Sequence, residues 1–141
     1  MRKPSFRSFA LGCALAAAPW LTQAQTMQPG TGAMPAMKVE GAARYACGGI
    51  GSDESTAMRA AMKDHPLALL FARAGGEYLA NVDVRIKGAN GDTALAMRAS
   101  GPVCLVDLPA GRYTVEATTE GMTKTHNVTV GRGSQTADFR F

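Results

Sequence analysis

Histidine is scarce in this chain: His65 and His126 are the only two in 141 residues. The sequence also has no H-E-x-x-H, no C-x-x-C and no G-x-S-x-G. Those gaps remove the zinc-peptidase helix, the thioredoxin-like or zinc-knuckle cysteine pair, and the nucleophile elbow of serine hydrolases. A Ser-His-Asp triad would have to use one of the same two histidines. Aromatic residues make up only 6%, beside 16 glycines and 7 prolines. That balance favours many turns and short elements. Long apolar runs are missing too. The one candidate, Ser8 to Leu21, is shorter than the roughly 20 residues that cross a bilayer, and Pro19 breaks it. A strong charge of one sign is absent once the N-terminus is set aside. The formal charge of +4 owes three units to Arg2, Lys3 and Arg7. The rest of the chain is nearly neutral with dispersed charges, which excludes nucleic-acid binding.

The basic stretch Met1 to Arg7, the short apolar run and the small or polar Thr22-Gln23-Ala24-Gln25 form the three regions of a secretory signal peptide. Cleavage is expected after Ala24, leaving no membrane span and a periplasmic or secreted product. Ala10-Leu11-Gly12-Cys13 is a poor lipoprotein box, with Ala10 where Leu is usual. Export removes Cys13 and leaves Cys47 and Cys104, 57 residues apart. An even count in an oxidising compartment favours one disulfide, Cys47–Cys104. Two buried free thiols are the competing arrangement.

Residues 25–43 mix Gly, Pro, Gln, Met and Ala without an apolar period and read as a flexible leader before a single domain, 44–141. Ser52-Asp53 offers an N-cap, Asp53 and Glu54 suit a first helical turn, and Ala57, Met58, Ala61 and Met62 share one face. His65-Pro66 ends that helix, placed at 52–65. Beyond Pro66 the apolar period becomes two. Leu67–Arg73, Tyr78–Lys87, Thr93–Ala99, Val103–Leu108, Arg112–Thr119, Met122–Val130 and Gln135–Phe141 are seven strand candidates separated by glycine-rich turns. Short alternating strands must each bury one face against a second sheet, so 66–141 is expected to be a seven-stranded β-sandwich.

Leu105-Val106-Asp107-Leu108-Pro109-Ala110-Gly111-Arg112-Tyr113-Thr114-Val115, followed by Glu120-Gly121, resembles the signature of carboxypeptidase regulatory-like domains. These are small transthyretin-like (prealbumin-like) sandwiches in many secreted bacterial proteins. Proline and glycine force the reversal, and Tyr113 is then first onto the core face. Asn81 to Asp92 is similar to the opening hairpin of the same domains. The resemblance covers Pro66 to Val130 and implies a transthyretin-like fold; it implies no activity, because a fold does not fix a function. Hydroxyisourate hydrolase, an enzyme of related fold, needs two site histidines, an arginine and a C-terminal Tyr-Arg-Gly-Ser. Here Arg132-Gly133-Ser134 lacks the tyrosine and stands short of the terminus.

The expected protein is therefore a non-catalytic exported module without a cofactor, binding a protein or glycan partner through sheet edges and loops. The alternative is a periplasmic copper-binding protein. Met58, Met62 and His65 fall at i, i+4 and i+7, and thioether and imidazole suit Cu(I). Against it, Met58 and Met62 are what an amphipathic helix uses to pack on a sheet. His126 alternates in phase with Val128 and Val130, facing core or edge. Arg85, Lys87 and Arg98 form a solvated sheet face or an anionic-ligand patch.

Overall fold

The computed structural model describes residues 34–141. The expected signal peptide, 1–24, and residues 25–33 of the expected leader lie outside the described residues. Nine strands and one helix follow in order: β1 (Lys38–Glu40), β2 (Ala43–Gly48), α1 (Ser52–Ala61), β3 (Leu67–Ala72), β4 (Val82–Gly88), β5 (Thr93–Ala99), β6 (Val103–Asp107), β7 (Gly111–Thr119), β8 (Met122–Val130) and β9 (Gln135–Arg140). They form two sheets, ordered β1-β2-β6-β3-β9 and β5-β4-β7-β8. All neighbours are antiparallel except β3 and β9. The fold is mainly β, a two-sheet sandwich with one short helix.

The seven strand candidates after Pro66 all appear. The strand count differs because two more precede the helix. The C-terminal end of the expected leader, 25–43, is thus structured: Lys38–Glu40 pairs with Ala43–Gly48. Propensity hid β2, whose Ala-Arg-Tyr-Ala-Cys-Gly is poor strand sequence. Its pairing with β6 and its burial override that preference. Ala43, Tyr45 and Cys47 face the space between the sheets, and Ala46 and Gly48 are buried on the other face.

The core is built from alternation. Val82, Val84 and Ile86 on β4 meet Leu67, Leu69 and Phe71 on β3 and Cys104 and Val106 on β6. Phe71 stacks on Phe139 of β9, with ring centroids 5.5 Å apart. β3 and β6 are buried on both faces, because α1 covers the outside of their sheet. Met58 there packs with Ala68, Val103 and Leu105, joined by Ala61, Met62 and Leu70. The helix comes so close to β2 that Gly48 has no room for a side chain: a Cβ would collide with Glu54 and stand 3.0 Å from Met58 Sδ.

The helix start differs in detail from expectation. Its N-cap is Gly51, in the left-handed region at φ 99°, and no side chain caps it. Glu54 instead turns back and accepts a hydrogen bond from the Gly49 N–H at 2.7 Å. The helix ends at Ala61, and Met62–Asp64 tightens into a 3-10 turn before Pro66.

Two hairpins shape the second sheet. Asn90-Gly91 sits in the loop between β4 and β5, with a turn closed by Gly91 N–H to Gly88 C=O at 3.0 Å and Gly91 left-handed at φ 85°. Between β7 and β8, Glu120 (φ 50°) and Gly121 (φ 77°) form a two-residue turn with both angles positive. That twist matches the flanking strands and fixes Thr119 opposite Met122.

Candidate functional site

The copper candidates do not converge as a helical stack. Met58 is fully buried against the sheet and Met62 is half-buried beside it. His65 has left the helix: the 3-10 turn and Pro66 put it in extended backbone, φ −119° and ψ 146°. Its Nδ1–H donates to Asp107 Oδ1 at 2.7 Å. A carboxylate can only accept, so that contact fixes the proton on Nδ1. Among the described residues no group of three or more His, Cys, Asp or Glu side chains could hold a metal ion.

The His65–Asp107 pair was not legible as a pair, since 42 residues separate its members. Antiparallel register between β3 and β6 brings them together, with Leu67 opposite Val106. Ser134 and His65 border one shallow hollow of about 320 Å³. Serine, histidine and aspartate thus gather at one corner. The Ser134 hydroxyl, however, donates to the Lys63 carbonyl at 2.7 Å. It pins the loop after β8 to the 3-10 turn, which is a structural use of that hydroxyl.

Cys47 and Cys104 face each other directly across β2 and β6, Cα atoms 4.1 Å apart, and are joined by a disulfide. Cys104 points into the core with Val106 and Leu108, as its strand position predicts. The position of Cys47 just before the glycine turn that launches the helix predicts a tie between the helical segment and the sandwich; the bond instead lies within one sheet. Cys47 is a strand residue, so the bridge staples β2 to β6 and α1 is held by Met58 and its neighbours. Met97 Sδ lies 3.7 Å from Cys47 Sγ.

The outer face of the second sheet holds the cationic cluster. Arg98 Nε is 4.0 Å from Asp83 Oδ1, and Lys87 Nζ donates to Glu116 at 3.3 Å. Arg85 makes no ion pair among the described residues. It borders an open hollow of about 480 Å³ with Asp83 and Glu116, whose carboxylates make this a mixed-charge surface.

The edge of that sheet is more distinctive. Among the described residues β8 pairs only with β7, over nine residues and without a bulge. From the two-residue turn, the hydrogen-bonded pairs are Thr119–Met122, Ala117–Lys124, Val115–His126, Tyr113–Val128 and Gly111–Val130. The intervening residues Thr123, Thr125, Asn127 and Thr129 therefore turn their backbone N–H and C=O away from the sheet. Side chains agree: Thr118 and Thr123 hydroxyls are 2.8 Å apart, and Thr114 donates to Asn127 at 3.1 Å. Residues 122–127 of β8 are exposed throughout. The inner-facing His126 lies at the seam, its ring edge-on to Phe139 at 4.6 Å. No helix among the described residues is long and apolar enough to cross a membrane.

In comparison with known proteins, no family model, no curated protein and no solved structure matches the chain.

Proposed function

We propose that this chain is an exported, non-catalytic module of the transthyretin-like, carboxypeptidase regulatory-like kind, and that it binds a protein partner by accepting its strand along β8. The observation that carries this reading is the open edge itself. Four residues, Thr123, Thr125, Asn127 and Thr129, present backbone groups with no partner among the described residues, along a strand with no proline and no bulge. Such an edge is a template for another chain, and natural sheets usually interrupt it.

The chemistry of β8 narrows the partner. Its sequence Met-Thr-Lys-Thr-His-Asn-Val-Thr-Val carries Lys124 and His126 and no acid. Two copies pairing here would leave each Lys124 without an opposite charge, so the favoured partner is a different, acidic strand. Outward-facing pairs offer about eight backbone hydrogen bonds at about 1 kcal/mol each. Association costs about 4–15 kcal/mol, so the backbone alone gives weak binding and side chains set the affinity.

The test is a peptide alternating apolar residues with Asp or Glu, titrated into the mature protein. Thr125→Pro removes an N–H that β7 does not use, which an edge position tolerates. Binding should be lost in T125P and kept in T125A. Equal binding by both variants would refute strand addition.

A further inference from the structure

On the opposite sheet, Arg59 of α1, the outer face of β3 and β9, and the turn after β3 that holds Gly76 come near one another. A hollow of about 120 Å³ opens between them. Its floor is apolar, made by Leu70, Ala72 and Pro102, and its walls carry Arg59 and Tyr78, with Asp138 and Arg140 at the rim. That size compares with the cavity of about 150 Å³ that takes a benzene-sized group. It suits a branched alkyl group or a small ring and excludes a sugar chain or a nucleotide.

Arg59 is held ready. Its guanidinium lies over the Tyr78 ring, 4.9 Å from the centroid, and its Nε donates to Ser55 Oγ at 3.3 Å. The two remaining guanidinium nitrogens have no carboxylate partner among the described residues. The neighbouring charge pair is closed: Arg140 Nε and Nη2 donate to the two oxygens of Asp138 at 2.9 and 3.0 Å. Asp138 is thereby engaged and does not satisfy Arg59. Tyr78 itself is 61% exposed, an unusual position for a large ring beside an apolar floor.

We propose that this hollow binds a carboxylate carried on a compact apolar body, with Arg59 gripping the carboxylate and Leu70, Ala72 and Pro102 receiving the apolar part. A planar guanidinium matches a carboxylate with two parallel hydrogen bonds, and an arginine already fixed on an aromatic ring loses little freedom in making them. Two sources carry this chemistry, a free small acid and the C-terminal residue of a peptide. The site lies on the sheet that does not contain β8, so it stands or falls apart from strand addition.

The experiment is a titration of the 15N-labelled mature protein, followed by nuclear magnetic resonance. The probes are 4-methylpentanoate, its amide, and a tripeptide ending in leucine with a free or amidated C-terminus. Saturable shifts of the Arg59 Nε–H and of the Gly76 and Tyr78 amides are expected with the acids and not with the amides. Saturation by the peptide alone assigns a chain terminus, and saturation by both acids assigns the carboxylate wherever it is carried. Affinity should fall at least tenfold in R59Q and stay unchanged in R85Q, which lies on the other sheet. Y78L, at an exposed position, removes the ring that holds Arg59 and should weaken binding even if R59Q folds poorly. Equal shifts from acids and amides, equal shifts from sodium chloride, or unchanged affinity in Y78L and a folded R59Q would each overturn the proposal.

Discussion

His126 and Phe139 meet edge-to-face, ring centroids 4.6 Å apart, so that an exposed residue of the second sheet covers the fully buried Phe139 on the terminal strand of the first. The contact closes the side of the sandwich on which both β8 and β9 are edges. His126→Ala should uncover Phe139 and cost about 0.5–1.5 kcal/mol, the size of an aromatic pair. Urea unfolding checks it, and an unchanged midpoint would mean that the seam is held elsewhere.

Met58 is a packing residue. It has no exposed surface and fills the space between α1 and Ala68, Val103 and Leu105. Met58→Ala should cost about 2–5 kcal/mol, as buried methionine truncations do. Met58→Leu keeps the volume and should cost less than about 1.5 kcal/mol. A large loss in M58L, with sub-micromolar Cu(I) binding that the substitution abolishes, would return the methionine to a ligand role.

Reducing the disulfide should act on the β1–β2 edge rather than on the helix. Closure of a loop of 57 residues gives at most about 4 kcal/mol by chain entropy. Within its sheet, among the described residues, β2 is flanked by β6 and only the three-residue β1. Amides of residues 38–48 should therefore gain the most exchange when Cys47 and Cys104 are both replaced by Ala. Uniform acceleration across α1 with β2 unchanged would contradict this placement.

Arg73 grips the turn between β7 and β8, its Nη1 and Nη2 donating to the two Glu120 oxygens at 3.1 and 2.7 Å. Those hydrogen bonds, aided by the guanidinium charge, hold the Glu120 carboxyl below its ordinary value of 4.5. A folded-state value that is depressed stabilises above the unfolded value and loses that contribution as pH falls through the folded one. The pair is solvent-exposed, so the effect is small and weakened by salt. E120Q should melt below the parent at pH 7, and the difference should close below about pH 4.5. A gap that persists in acid would assign the effect to the turn's backbone instead.

Alternation carried most of the fold. Val82, Val84 and Ile86 against Asp83, Arg85 and Lys87 define β4 without a structure, and Cys104 with Val106 and Leu108 correctly marks the core face of β6. What alternation could not show was long-range pairing. β2 is strand by virtue of β6, not of its own residues, and His65 meets Asp107 only through the β3–β6 register. The helix stack of Met58, Met62 and His65 failed at His65 because Pro66 governs the backbone before it. The hollow at Arg59 left no sequence signal, since Ser55, Tyr78 and Pro102 come from three separate segments. The edge character of β8 was equally hidden, because which strand ends a sheet is a property of topology.

Amide exchange along β8 tests strand addition most directly. In the protein alone, the amides of Thr123, Thr125, Asn127 and Thr129 should exchange fast, while those of Lys124, His126 and Val128 are protected by β7. With an acidic, alternating peptide bound, the first four should slow markedly and the other three should change little. Fast exchange at those four amides while the peptide is bound, or full protection in the protein alone, would contradict the open edge as the binding site.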